Sequence, residues 1–474
     1  MTVPHPGPPA RARDRLHAGC CWGLLLVALW APLPFASARP WAWGVLASLV
    51  GLLVAVLAIA EILGEGEQRQ RLRPLLAPAV LFTLSLAWGC IQCLPWTPES
   101  WQHPLWQEAA GLLPAQSVQP SISIDRSASL TALLRLLTYG AIFWVAFRCA
   151  EESAWARWLV TLGAAIATIY ACWGLAVYWT GNGSVLWFAK WAYREDLTST
   201  FVNRNSFAAY SGLALVTMVG LLLDLVVRKI DFTQTRRAIL TAWTELLRSN
   251  AVWLMGGIAL TTTALLLTHS RAGAASAGVG IIALLAAAFV APSLHGPWRA
   301  SFAIALAIAG LAAVLVSGTA TLGRVADTSW DVEGRSEIYN LTLQAIGNTP
   351  VVGTGLGTFK SIFPAYRPET LPLPVEMAHD DYLQNMLELG IPAALALFAA
   401  VLLLAVRCAK GVLVRRRNAI LPCIGLGATA LVAFHSLFDF SLQIPAVTLS
   451  YLLILGAAVA QSAPTQRRAA SEAT

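Results

Sequence analysis

The stretch "WAWGVLASLVGLLVAVLAIAEIL" (41–63) carries a single ionisable residue, Glu61, among its apolar side chains. Crossing ~30 Å of hydrocarbon takes about 20 apolar residues in a helix, so this segment reads as a membrane span. The reading extends outward along the chain. Of its 474 residues, 57% are hydrophobic and only 12% charged, with a mean hydropathy of +0.64. A soluble globular domain has no use for that balance. The ~10-residue alternating segments of a transmembrane barrel are absent. The predicted fold is therefore an all-α polytopic membrane protein. Twelve spans are expected, at 19–37, 41–63, 75–95, 129–150, 158–178, 206–227, 251–268, 272–291, 301–319, 391–407, 419–436 and 445–461. The first contains Pro32 and Pro34, and "ASA" (36–38) offers an alternative reading as a signal-peptidase site.

Basic residues set the orientation, because cytoplasmic loops are enriched in Lys and Arg. With both termini cytoplasmic, that side receives "RARDR" (11–15), "RQRLR" (69–73), "RK" (228–229), "RR" (236–237) and "RRR" (415–417). The net charge of +7 is thus a topology signal and not a nucleic-acid patch. The eight cysteines sit in or beside spans; "CIQC" (90–93) has redox spacing but no second pair for zinc, so packing is the expected role. The domains follow: a tail at 1–18, spans over 19–319, a long extramembrane loop at 320–390, spans over 391–461 and a second tail at 462–474. Shorter outside segments lie at 96–128, rich in Trp and Pro, and at 179–205.

The long loop concentrates the chemistry. In "EGRSEIYNLTLQAIGN", Ile338, Leu341, Ala345 and Ile346 recur at helical spacing. "TPVVGTGLGTF" then breaks the helix, and a second helix follows with Leu383, Met386 and Leu387 on one face and Gly390 as its stop. His379 stands at that helix's start. An imidazole suits proton abstraction near neutral pH, with Asp380, Asp381 or Glu376 to orient it; a helix-capping polar cluster is the alternative. "GTGLG" (353–357) lacks the Lys and Ser/Thr of a P-loop and reads as a flexible turn. Arg271, in "THSRAG", falls between two spans at the interface, either snorkelling or gripping a phosphate by its planar fork. Arg335 either bridges to Glu337 or Asp331 or joins Arg367 and Lys360 around an anion. In "FVNRNSFAAY", Asn203, Arg204 and Asn205 mark a span mouth, with a helix cap by Asn205 or Ser206 as the alternative to ligand contact. His435 and Asp439 stand at i and i+4 and are expected to bond each other. No HExxH, Cys/His set or paired-aspartate signature is present, so no metal or other cofactor is predicted.

Taken in order, "FVNRNSFAAY", "LTHSRAG", "GRSEIYNLTLQAIGNTPVVGTGLGTF", "AHDDYLQNMLELG" and "HSLFDFSLQIPA" resemble the O-antigen ligase and polymerase superfamily over roughly residues 195–450. The resemblance implies a GT-C-like glycosyltransferase of the bacterial inner membrane, working on the periplasmic side. Its implied donor is a glycan on undecaprenyl diphosphate. An acceptor hydroxyl, on lipid A–core or a growing glycan, attacks the anomeric carbon and needs no metal, ATP or nucleotide sugar. Arg271 and Arg335 match the family's diphosphate-binding arginines, and His379 its acceptor-side histidine. Arg204, Asn203, Asn205, Arg367, Tyr382 and Asp380 are the further candidate substrate contacts. Membrane lipids and a flippase that delivers the donor are the implied partners. Asp380 after the histidine, and Tyr339 where a ligase commonly has leucine, depart from the ligase pattern and leave ligase or polymerase open. The rival of a different class is a transporter. It is disfavoured because membrane charges are few (Arg135 and Asp224) while polar residues gather outside.

Overall fold

The computed structural model describes residues 8–63, 72–112, 119–231, 234–249, 251–294, 329–369, 371 and 374–464. The chain is overwhelmingly helical. Helix α1 (Pro8–Trp30) begins inside the segment predicted as a tail and stops short of residue 37, because Pro32 and Pro34 cannot continue it. Pro40 then occupies the first turn of α2 (Pro40–Ile62), where its missing N–H costs nothing. There follow α3 (Leu76–Gln92), α4 (Leu105–Leu112), α5 (Arg126–Cys149) and α6 (Ser153–Trp179). A small antiparallel hairpin, β1 (Ser184–Val185) and β2 (Phe188–Ala189), leads to α7 (Arg204–Lys229). Next come α8 (Arg236–Leu247), α9 (Ala251–Leu267) and α10 (Arg271–Val290). The loop contributes α11 (Ser329–Asn348), α12 (Phe359–Ile362) and α13 (Asp381–Leu389), and the chain closes with α14 (Ile391–Val414), α15 (Ile420–His435) and α16 (Pro445–Ala460).

Among the described residues seven helices are long and apolar enough to cross a membrane, or eight if the bent pair α8–α9 counts as one span. The chain is thus a multi-pass membrane protein, and the described residues hold fewer qualifying spans than the twelve predicted for the whole chain. Helices α15 and α16 are apolar but shorter, and the span expected at 301–319 lies outside the described residues. Helix α8 falls where only a loop is predicted. Its apolar residues repeat at helical spacing between charged ones, and it meets α9 at 67°. Arg135, the arginine read inside a span, lies with its guanidinium 5.5 Å from the Trp43 ring, a cation–π contact that offsets part of its desolvation. Asp224 is buried and paired with Arg157 and Arg228.

Helix α7 is the hub; 78% of its apolar window is buried, the most of any span. Glycines let its neighbours approach closely. A Cβ added at Gly280 of α10 would stand 2.9 Å from the Gly427 carbonyl of α15, and one at Gly427 would stand 2.7 Å from the Gly280 carbonyl. These crossings set the register. Ala208, Gly212 and Gly220 of α7 face Gly273, Ala277 and Leu284 of α10, so those two helices run in parallel. Gly212 and Gly220 also face Leu431 and Ile424 of α15, which runs antiparallel to them. Extended to the helix ends, this register brings Asn203–Ser206, Ser270–Arg271 and His435–Ser436 to one level, at one end of the bundle.

The long loop packs over its own small core, including Ile338, Ala345, Phe359, Phe363 and Leu387, which matches the predicted faces of its two helices. "GTGLG" is an ordered turn, contrary to the flexible one expected. The Glu388 carboxylate accepts from the N–H groups of Gly357 (2.6 Å) and Phe359 (3.2 Å). Gln92 of α3 donates to the carbonyls of Val352 (2.7 Å) and Glu388 (2.8 Å) and accepts from the Leu356 N–H. The backbone cradle that resembles a phosphate site is filled by the chain's own carboxylate. Gly353, Gly355 and Gly357 all have positive φ, which glycine adopts without the steric penalty of a side chain.

Candidate active site

Two His–Asp pairs form at the end of the bundle where the register gathers α7, α10 and α15. In the first, His379 Nδ1 lies 3.2 Å from Asp439 Oδ1. Asp439 is fully buried and also accepts from the Phe440 N–H at 2.8 Å. Burial alone would raise its carboxyl, but the hydrogen bond from His379, the neighbouring imidazoles and the Phe440 N–H hold it below the usual carboxylate range. The predicted His435–Asp439 bond is not formed. Both ring nitrogens of buried His435 lack a hydrogen-bond partner among the described residues, and Asp439 turns to the loop histidine instead.

None of the expected orienting carboxylates reaches the His379 ring. Asp380 caps α13, accepting from the Leu383 N–H at 2.8 Å, and burial raises its carboxyl. Asp381 is buried and accepts from Ser436 Oγ at 2.9 Å, while its N–H donates to the Ser436 carbonyl. Glu376 pairs with Lys360 on the surface. His379 itself has φ +55°, a conformation that costs a non-glycine residue energy and persists where surrounding contacts hold it. One such contact is Tyr339, whose hydroxyl donates to the His379 carbonyl at 2.9 Å. The Phe440 ring meets the imidazole edge-on, with centroids 4.9 Å apart.

Arg335 lies nearly two turns into α11, deeper than the first-turn position predicted. It shares a face with Tyr339, one helical turn on, and its Nη1 donates to the Phe438 carbonyl at 3.2 Å. Arg335 and Tyr339 together clamp the 437–439 turn beside the His379–Asp439 pair. Tyr382 is held structurally, donating to the Ala433 carbonyl at 2.8 Å and packing edge-on against Phe398. Arg367 is exposed on the loop surface, just after the turn Phe363–Ala365.

Arg271 is the first residue of α10, whose cap is Ser270; its Oγ accepts from the Gly273 N–H at 3.1 Å. The arginine side chain is exposed and has no hydrogen-bond or ion-pair partner among the described residues. The register places it level with Ser436, beside His435 and three residues before Asp439. Arg204 is engaged: Nη1 bonds Asp196 Oδ2 at 2.9 Å, and the guanidinium lies 5.4 Å from the Tyr193 ring. Asn203, and not Asn205 or Ser206, caps α7 by accepting from the Asn205 N–H at 2.7 Å; Asn205 is buried. The second pair completes this group. His269 Nδ1 stands 2.8 Å from Asp196 Oδ1. Neither residue was singled out from the sequence, since the two are 73 positions apart and no local pattern links them.

Burial pushes the carboxyls of Asp381 and Glu388 up to about 7, although hydrogen bonds to each pull the other way. A raised carboxyl binds its proton more tightly in the folded state. Its stabilisation is complete below the unfolded values of 3.8 and 4.5 and is lost as pH rises through about 7. The expected result is a lower melting temperature at pH 8 than at pH 6, with the difference reduced in Asp381→Asn. Equal midpoints for wild type and variant at both pH values would refute this account.

Residues 256–399 match a family described as O-antigen ligase. The match covers under a third of the chain, yet includes Arg271, Arg335 and His379, and it bears out the superfamily resemblance of the sequence. No curated protein matches the chain.

Proposed function

We propose that this multi-pass protein is a glycosyltransferase of the bacterial inner membrane that moves a glycan from undecaprenyl diphosphate to an acceptor hydroxyl, on the periplasmic side. The specific role proposed is that of an O-antigen ligase, with lipid A–core as acceptor. The observation that carries this reading is the His379–Asp439 pair at the same end of the bundle as Arg271, which is exposed and has no partner among the described residues.

In this mechanism Asp439 engages Nδ1 of His379, fixing the tautomer and leaving Nε2 for the acceptor proton. As Nε2 takes that proton, the acceptor oxygen bonds the anomeric carbon. The bond from that carbon to the phosphate oxygen breaks, and its electron pair leaves with the diphosphate. Arg271 and Arg335 supply guanidinium groups suited to phosphate oxygens, and their attraction strengthens as the leaving group gains charge. Tyr339 holds the backbone of the base. Asp380, Tyr382, Asn203 and Asn205 act in this reading by building the walls of the site, through the hydrogen bonds that already occupy them.

The test uses purified protein in lipid with an undecaprenyl-diphosphate glycan, with and without lipid A–core, and products sized on a gel. Glycan appearing on lipid A–core only when that acceptor is supplied is the expected result. Donor-on-donor ladders without it would make the protein a polymerase. Neither product, beside active controls, would overturn the transfer reading.

A further inference from the structure

His269 of the Asp196–His269 pair stands in the turn that leads directly into Arg271. Asp196 is buried and uses both carboxylate oxygens, Oδ2 toward Arg204 and Oδ1 toward His269 Nδ1. Its backbone carbonyl is held as well, accepting from Lys190 Nζ at 2.5 Å and Asn182 Nδ2 at 3.0 Å. The Leu197 N–H donates to the Leu267 carbonyl at 2.9 Å, which ties the 190s segment to the end of α9. The carboxylate is therefore rigidly placed, and the imidazole is aimed by it.

His269 shows two marks of a group held for use. Its φ is +51°, in the left-handed region where glycine or asparagine would serve a plain turn at lower cost. Its side chain keeps 29% of its exposure, and Nε2 has no partner among the described residues. With Nδ1 on Asp196, Nε2 must point away from the carboxylate. Two residues later stands Arg271, whose side chain is exposed and has no partner among the described residues. The same arrangement, a buried aspartate behind a partly exposed imidazole, recurs at Asp439–His379, and the helix register sets both at one end of the bundle.

We propose that His269, aimed by Asp196, is the donor-side proton donor of the transfer reaction, acting on the departing diphosphate beside Arg271. This rests on the reaction proposed above. The doubly protonated imidazole presents Nε2–H to the phosphate oxygen that leaves the anomeric carbon. As the carbon–oxygen bond breaks and its electron pair moves to that oxygen, the proton follows. His379 meanwhile holds the acceptor's proton. Water then takes one proton from His379 and returns one to His269, so each turnover is neutral in protons. Asp439 and Asp196 thus serve two imidazoles with opposite duties, one accepting and one giving. Asp196 is a positioning residue and touches no reacting atom.

The test compares wild type, His269→Ala and Asp196→Asn in the lipid assay, with and without added imidazole. Binding of undecaprenyl diphosphate and melting temperature are measured on each. His269→Ala should lower kcat roughly 10²-fold and leave the acceptor KM within about twofold. Free imidazole should restore at least about tenfold of the loss, since it replaces a proton donor and not a packing contact. Asp196→Asn should lower kcat without imidazole rescue, because the ring is still present but misaimed. Full activity in His269→Ala, or a loss that imidazole leaves unchanged in a normally melting protein, overturns the assignment. Wild type that binds undecaprenyl diphosphate but transfers no glycan overturns the reaction itself, and the donor role with it.

Discussion

Replacing His379 by alanine is expected to lower glycan transfer by roughly 10²- to 10⁴-fold, the range a positioned general base contributes, while undecaprenyl diphosphate still binds. The loss should appear in acceptor turnover. The reason is geometric: the imidazole is held by Asp439 through Nδ1, by the Tyr339 hydroxyl through its backbone carbonyl and by the edge of Phe440. Three contacts from two elements for one exposed ring nitrogen suit a group that must meet a hydroxyl in one orientation. Asp439→Asn keeps the shape of the partner but removes the charge that steadies an imidazolium, and should cost about as much. Tyr339→Phe removes the hydroxyl's bond to the His379 carbonyl and its longer one to the Leu437 carbonyl, and a loss of about threefold to tenfold is expected, equivalent to roughly one hydrogen bond. Steady-state transfer with varied acceptor measures all three. Unchanged acceptor turnover in His379→Ala would remove this residue from the mechanism.

The second large effect is expected at Arg271. Its side chain is exposed and unpaired among the described residues, so truncation leaves no buried partner unsatisfied. Stability should therefore change by less than about 0.5 kcal/mol. Transfer should nonetheless fall roughly 10²- to 10³-fold, as it does when one preorganised group facing a developing anion is removed. Lysine at this position restores the charge without the planar fork and should recover activity only in part. Arg335→Ala is a less clean experiment. That guanidinium also bonds the Phe438 carbonyl, so its loss loosens the turn carrying Asp439 as well as the anion contact. Donor binding and transfer measured on Arg271→Ala, with melting temperature as control, decide the point. Near-normal transfer would end its diphosphate role.

Parts of this site are legible in the sequence. The loop helices follow from Ile338, Ala345 and Leu387 at helical spacing, and these residues do form the loop's core. Gly390 was expected to stop the second helix and does, with φ +79°. The errors share a form. Spacing of i and i+4 predicts a His435–Asp439 pair, since such residues on a helix are neighbours, but α15 ends at His435 and Asp439 lies in the turn beyond it. Asp380 and Asp381 were candidates to orient His379 because they adjoin it in sequence; one caps a helix and the other is buried against Ser436. The glycine run was read as loose because glycine permits motion, whereas Glu388 and Gln92 hold it.

That this is a helical membrane protein follows from its apolar runs alone, since the transfer of apolar residues into hydrocarbon is local and nearly additive along the chain. Residue type also marks which side chains could take part in chemistry, because charge and hydrogen-bonding capacity belong to it, but it gives no sign that Asp196 and His269 belong together. The partners of these groups are set by packing. His379 meets Asp439 across 60 positions, and His269 meets Asp196 across 73. Those meetings depend on the register of α7, α10 and α15, which is set where their glycines let backbones touch. Such contacts depend on the shapes of two surfaces at once, and no periodicity within one segment records them.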